Sequence, residues 1–149
     1  MKNKKLIDGI KLTPLKQIID LKGSVMHFIK KSDKSFSKFG EVYFSRINRE
    51  IVKGWKLHKV ANQNFCVPYG KVLIKIIDFR KESQSYGQLD EIILDSKQNY
   101  LLLHIPAGLW YSFKCISNDY SLLTNLSSIE HDKNEILEKS LNDNIFPKW

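Results

Sequence analysis

Lys56 and His58 lie two residues apart in the run Gly54-Trp55-Lys56-Leu57-His58. Side chains of a strand alternate between faces, so a Lys-x-His pair presents both groups to the same side. An imidazole titrates near neutrality without help. A lysine amine becomes a base where burial or neighbouring cations lower its pKa. Two such groups facing one way inside an all-β body suggest a site within a barrel mouth. The plainer readings are a hydrogen-bonded barrel histidine at His58 and an outward surface lysine at Lys56. Arg80 and Asp78, two apart further along the chain, suit either ligand contact or a structural ion pair.

The elements that must carry these groups are legible around them. Gly54 lets the backbone bend where a side chain would clash, and Gly70 closes a hairpin. Beyond it Val72, Ile74 and Ile76 alternate with Leu73, Lys75 and Ile77. Further strands are expected near 10–12 and at 25–29, 41–47, 90–94, 100–105, 109–116 and 120–126. Pro106 and Gly108 mark a turn, proline presetting one corner and glycine tolerating the next. Asp132 followed by Glu135 reads as a capping box and predicts a short helix over 133–140. The tail ending in Trp149 is expected to pack back over the barrel. Many short strands with glycine and proline turns predict an all-β barrel or sandwich in one domain spanning 1–149.

Composition narrows the function classes. A chain of 149 residues with 42% hydrophobic content builds one core, and its apolar runs are too short for a membrane helix. The amino-terminal segment lacks the continuous apolar stretch of a secretion signal, so a cytoplasmic protein is expected. Cys66 and Cys115 lie in apolar strand-like runs and read as buried free thiols. The formal net charge of +8 raises nucleic acid as a partner. Its lysines are scattered, however, and no zinc-finger, helix-turn-helix or RNA-binding aromatic motif accompanies them. Excess positive charge also suits a smaller anion such as a nucleotide diphosphate.

Several landmarks recur together. They are Ile51-Val52-Lys53-Gly54-Trp55 leading into the His58-Lys59 strand, Phe65-Cys66-Val67 closing on Gly70, and Asp78-Phe79-Arg80 followed by Ser83, Ser85 and Tyr86-Gly87. Then come Ile105-Pro106-Ala107-Gly108 and the closing Asp143, Ile145 and Trp149. In these residues the chain resembles the dTDP-4-dehydrorhamnose 3,5-epimerase family along nearly its whole length. The resemblance implies a cupin, or jelly-roll, β-barrel that acts on a dTDP-linked 4-keto-6-deoxyhexose in deoxysugar synthesis for surface polysaccharide. Protons are removed and returned at carbons beside the ketone. It further implies a histidine base oriented by an aspartate, a tyrosine acid, no metal or redox cofactor, and a homodimer exchanging an N-terminal strand. Related 3,4-ketoisomerases share the fold and the substrate class.

The chain departs from that pattern at its chemical positions. Lys56 stands where the family has its basic histidine, and no tyrosine occurs at Ser128 or Ile129. Tyr111 replaces a histidine that usually follows the Ile-Pro-x-Gly turn, and Gln63 replaces a phosphate-holding lysine. The orienting aspartate falls at Asn142 or Asp143. The candidate catalytic set is therefore His58 or Lys56 as base, Tyr111 as acid and Asp143 as the orienting group. Lys53, Lys59, Gln63 and Arg80 are the candidates for holding a nucleotide sugar. Metal-binding cupins need three histidines and a glutamate at positions that here offer Lys56, His58 and Tyr111, so no metal site is expected. Three functions remain in play: a divergent isomerase, a sugar-nucleotide-binding protein without turnover, and a nucleic-acid binder using the lysines.

Overall fold

A computed structural model describes residues 5–149. Twelve strands are named here in chain order: β1 Lys11–Pro14, β2 Gln17–Asp20, β3 Gly23–Met26, β4 Glu41–Asn48, β5 Val52–His58 and β6 Gln63–Tyr69. They continue as β7 Lys71–Ile77, β8 Leu89–Asp95, β9 Leu101–Ile105, β10 Trp110–Cys115, β11 Tyr120–Ser127 and β12 Ile136–Glu138. One five-stranded sheet runs β1-β9-β6-β11-β4 and the other β12-β5-β10-β7-β8, with β2 and β3 forming a separate hairpin. All the pairings are antiparallel.

The alternation read in β7 determines what lies on each face. Val72, Ile74 and Ile76 are buried between the sheets with Phe65, Val67, Leu103 and Leu123. Burying one such side chain contributes about 1.5–3 kcal/mol. The opposite face is not left to water. Ile77 joins Trp55 and Trp110 in a second cluster closed by Phe146, whose ring stacks on Trp55 at 4.5 Å. Trp149 donates its indole N–H to Ser112 Oγ at 3.1 Å, and the Lys75 amine sits 4.6 Å above its ring. The tail thus packs back over the barrel and covers the outer face of the β5-β10-β7 sheet.

The expected helix over 133–140 is a correction. Lys133–Glu135 form one 3₁₀ turn, after which the chain becomes β12 and pairs with β5. Asp132 does cap that turn, accepting from the Asn134 N–H at 2.8 Å. Glu135 completes no capping box, because its carboxylate turns inward to other partners. Among the described residues no helix is long and apolar enough to cross a membrane. Cys66 and Cys115 are both buried and unpaired, and burial pushes the Cys66 thiol up to about 11.

Two features position the site. The first is stagger between the sheets. β4 lies across from β10, β11 from β7 and β6 from β8, so β5 and β12 continue past the last strand of the facing sheet. The interior opens between β4 and β5. The second is a bulge in β5: Tyr111 pairs with Lys56, but Ser112 pairs with Gly54, leaving Trp55 as the extra residue. Gly54 has φ +121°, and a Cβ there would come within 2.6 Å of Ser112 Cβ and 2.7 Å of its Cα. Only glycine fits that conformation and that approach. The bulge sends the Trp55 ring to the outer cluster while Lys53 and Lys56, three apart, both border the interior hollow.

Candidate functional site

Two adjoining hollows of about 280 and 210 Å³ open between the sheets, with Tyr43 and Lys56 common to both. His58, Glu135 and Ser127 line the larger one; Lys53, Phe65 and Tyr111 line the other. A roomier hollow of about 470 Å³ lies among the loops bearing Gly70, Asp95 and Asp119. Three of its charged side chains already have partners: Lys71 pairs with Asp95 at 2.8 Å, and Asp119 accepts from the Tyr69 hydroxyl at 2.7 Å. His58 lies in the space between the sheets with Lys56 and Glu135 beside it, which makes that space the candidate site.

His58 closes β5 with its ring buried. Its Nδ1 meets Glu135 Oε1, and its Nε2 lies 3.1 Å from the Tyr111 hydroxyl. The other Glu135 oxygen accepts from the N–H groups of Val60 at 3.0 Å and Ala61 at 3.2 Å. Desolvation alone would raise the Glu135 carboxyl, but these hydrogen bonds from His58, Val60 and Ala61 outweigh it and hold the group below its ordinary value. An ionised carboxylate only accepts, so His58 carries its proton on Nδ1 and keeps a lone pair on Nε2. Tyr111 then donates to Nε2. Burial is the largest influence on His58 and pushes the imidazole below its usual value, with Glu135 working against it. Tyr111 is buried among Phe65 and Phe113, and desolvation pushes its phenol well up. The result is a buried line of carboxylate, neutral imidazole and phenol, with His58 bordering one hollow and Tyr111 the other.

The other expected residues are distributed unevenly. Lys56 borders both hollows beside His58, its side chain 36% exposed and its amine 3.3 Å from Glu138. Lys53 reaches across the opening to donate to Ser45 Oγ and Arg46 O of the facing sheet, each at 2.8 Å. Lys59 is exposed just beyond β5. Gln63 is 1% exposed; its Oε1 accepts from Asn125 Nδ2, and its Nε2 has no acceptor among the described residues. Arg80 is not brought to the hollow. It is clamped by Asp78 at 2.8–2.9 Å and donates to Asp8 O at 2.7 Å, the structural ion-pair reading of this residue. Asp143 is likewise elsewhere: its carboxylate accepts from Ile145 N–H in the C-terminal turn and lies 3.9 Å from Lys139. The carboxylate against His58 is Glu135, 77 residues further along the chain. The sequence offered a signal for it, the Asp-x-x-Glu spacing, but that spacing also spells a helix start. Tyr43 was missed as well, since an aromatic on an alternating strand reads equally as core. Among the described residues no three potential ligands cluster as a metal site would require.

This architecture, a two-sheet sandwich with a polar cleft at its staggered edge, defines a cupin. The family model for dTDP-4-dehydrorhamnose 3,5-epimerase matches residues 4–146. The chain belongs to the dTDP-4-dehydrorhamnose 3,5-epimerase family. A dTDP sugar isomerase from Desulfovibrio desulfuricans superposes with a TM-score of 0.92 at 33% identity, covering 95% of this chain and 90% of that one. A dTDP-6-deoxy-D-glucose-3,5-epimerase from Legionella pneumophila, solved with dTDP-4-keto-L-rhamnose, gives 0.81 at 19% identity over 93% of this chain and 77% of its own. It shares the fold. A probable low-salt glycan biosynthesis epimerase of Haloferax volcanii is 30% identical over 91 residues, 60% of this chain. The match spans 58% of that relative's length.

Proposed function

We propose that this protein is a metal-independent isomerase of a dTDP-linked 4-keto-6-deoxyhexose, moving a proton at a carbon beside the ketone in deoxysugar synthesis for a surface glycan. The observation that carries the reading is the Glu135–His58–Tyr111 line at the edge of the hollow. A hydrogen next to a carbonyl is weakly acidic, and its removal needs a neutral base held against the sugar ring. His58 Nε2 meets that need once the Tyr111 hydroxyl turns its proton away from that lone pair, with Glu135 fixing the tautomer and stabilising the imidazolium that forms. Lys56 is the poorer base, because its amine is engaged with Glu138. Lys56 and Lys53 act instead as cations for the diphosphate and for the enolate oxygen as its charge develops. Lys59, exposed nearby, extends this positive rim.

The test is solvent exchange. Incubated in heavy water with dTDP-4-keto-6-deoxyglucose, the protein is expected to incorporate deuterium at C3 or C5, read by proton NMR. Tight binding of the sugar nucleotide with no exchange would instead make it a binding protein on the same scaffold.

The working unit in this reading is a homodimer. Hairpin β2–β3 presents Ile19, Leu21 and Val25 to solvent, and β4 presents Val42 and Phe44. Apolar side chains left exposed on these strands suit burial against a second copy. Light scattering is expected to give about twice the 17.4 kDa of one chain, and a monomer at micromolar concentration would contradict it.

A further inference from the structure

Tyr111 has a geometric difficulty as the acid of an epimerisation. Inverting a carbon requires the proton to leave from one face of the ring and return to the other. Tyr111 and His58 stand in the same sheet, on neighbouring strands, hydrogen-bonded to each other. Both approach a sugar in the hollow from one side. The facing sheet must supply the second group.

β4 supplies a phenol there. Tyr43 lines the hollow that holds His58 and also the one that holds Tyr111, and it does so from the opposite sheet. Its hydrogen bonding sets the direction of its proton. The Asn64 N–H donates to Asn125 Oδ1 at 3.1 Å, which fixes the amide of Asn125. Asn125 Nδ2 must then donate, and it does so to Tyr43 Oη at 2.9 Å and to Gln63 Oε1. The Tyr43 oxygen is therefore an acceptor toward its own sheet, and among the described residues nothing accepts its O–H. That proton is left to the hollow. Partial burial keeps the phenol protonated, above its ordinary value, although the hydrogen bond from Asn125 opposes this.

We infer that Tyr43 is the proton donor on the face opposite His58, and hence the residue that makes the reaction an inversion. This rests on the isomerase reading above. In the step, the Tyr111 hydroxyl rotates off His58 Nε2, the freed lone pair takes the proton from carbon, and the C–H electron pair becomes the enolate. The enolate carbon then takes the Tyr43 hydroxyl proton from the far face as the ketone re-forms. Tyrosinate and imidazolium return to their starting states by proton exchange with water, so charge and protons balance.

The experiment compares wild type with Tyr43→Phe on dTDP-4-keto-6-deoxyglucose in heavy water, following both deuterium incorporation and configuration at C3 and C5. The variant is expected to exchange within a few-fold of the wild-type rate with configuration retained, while epimerisation falls about 100-fold or more. Retained exchange also shows that the variant is folded and binds. Inversion by Y43F at the wild-type rate would overturn the role of Tyr43 and leave the isomerase reading intact. An equal loss of exchange and inversion would also overturn it, marking Tyr43 as a support of the pocket. Absence of exchange in the wild type would remove the isomerase reading and this inference together.

Discussion

His58→Asn is expected to lower the rates of both solvent exchange and epimerisation by about three orders of magnitude, with binding of the sugar nucleotide changed only a few-fold. The size is that of losing a positioned general base. Asparagine keeps an N–H to offer Glu135, so the carboxylate is not left buried without a partner, a loss that would cost stability in its own right. The lone pair at Nε2 is what disappears. Steady-state kinetics should therefore show the loss in kcat rather than KM, with the thermal midpoint little changed. In the wild type, kcat/KM is expected to be level at neutral pH and to fall on acidification below the ordinary imidazole range, because the buried imidazole titrates below it. A variant within tenfold of wild type would transfer the base role to another group, with Lys56 the next in line.

Glu135→Gln is expected to cost about 100-fold in kcat through a different cause. Its side chain touches His58 and the Val60 and Ala61 amides, so it positions the base. A glutamine oxygen can still accept from the two backbone N–H groups, which leaves the glutamine NH₂ facing His58 Nδ1. The imidazole then accepts at Nδ1 and carries its proton on Nε2, the end that should be free. Outer partners of this kind are worth roughly 10–100-fold where they set a histidine's tautomer. A purely structural role would change stability without moving the tautomer, so the ¹⁵N shifts of His58 decide between the two. Stability changes with pH in a defined sense. The folded Glu135 carboxyl lies below its unfolded value, so its contribution is complete above the ordinary carboxylate range and is lost as pH falls through the folded value. E135Q should remove that part of the acid sensitivity.

Local rules carried the reading of the sequence wherever the chain obeyed them. Lys56 and His58 both follow the bulge, so period-two alternation held and both border the same hollow. Lys53 precedes the bulge; strict alternation would have put it on the other face, and one inserted residue reversed that. The Asp132–Glu135 spacing has two solutions, a capping box or a capped turn feeding a strand. Pairing of β12 with β5 selected the second and delivered Glu135 to His58. Tyr43 acquires its place only when β4 joins β11 at the sheet edge, a long-range pairing that strand periodicity cannot express. Arg80 lies next to Asp78, and a network with Ser83 and Ser85 holds both away from the cleft.

The most direct measurement is a crystal structure of the protein with a dTDP-4-keto-6-deoxyhexose or an unreactive analogue. The sugar ring is expected between β4 and β5, with a carbon beside C4 about 3–3.5 Å from His58 Nε2 and the Tyr43 hydroxyl on the ring's other face. A sugar seated among the loops around Gly70, or one whose ketone-adjacent carbons face neither His58 nor Tyr43, would contradict the account.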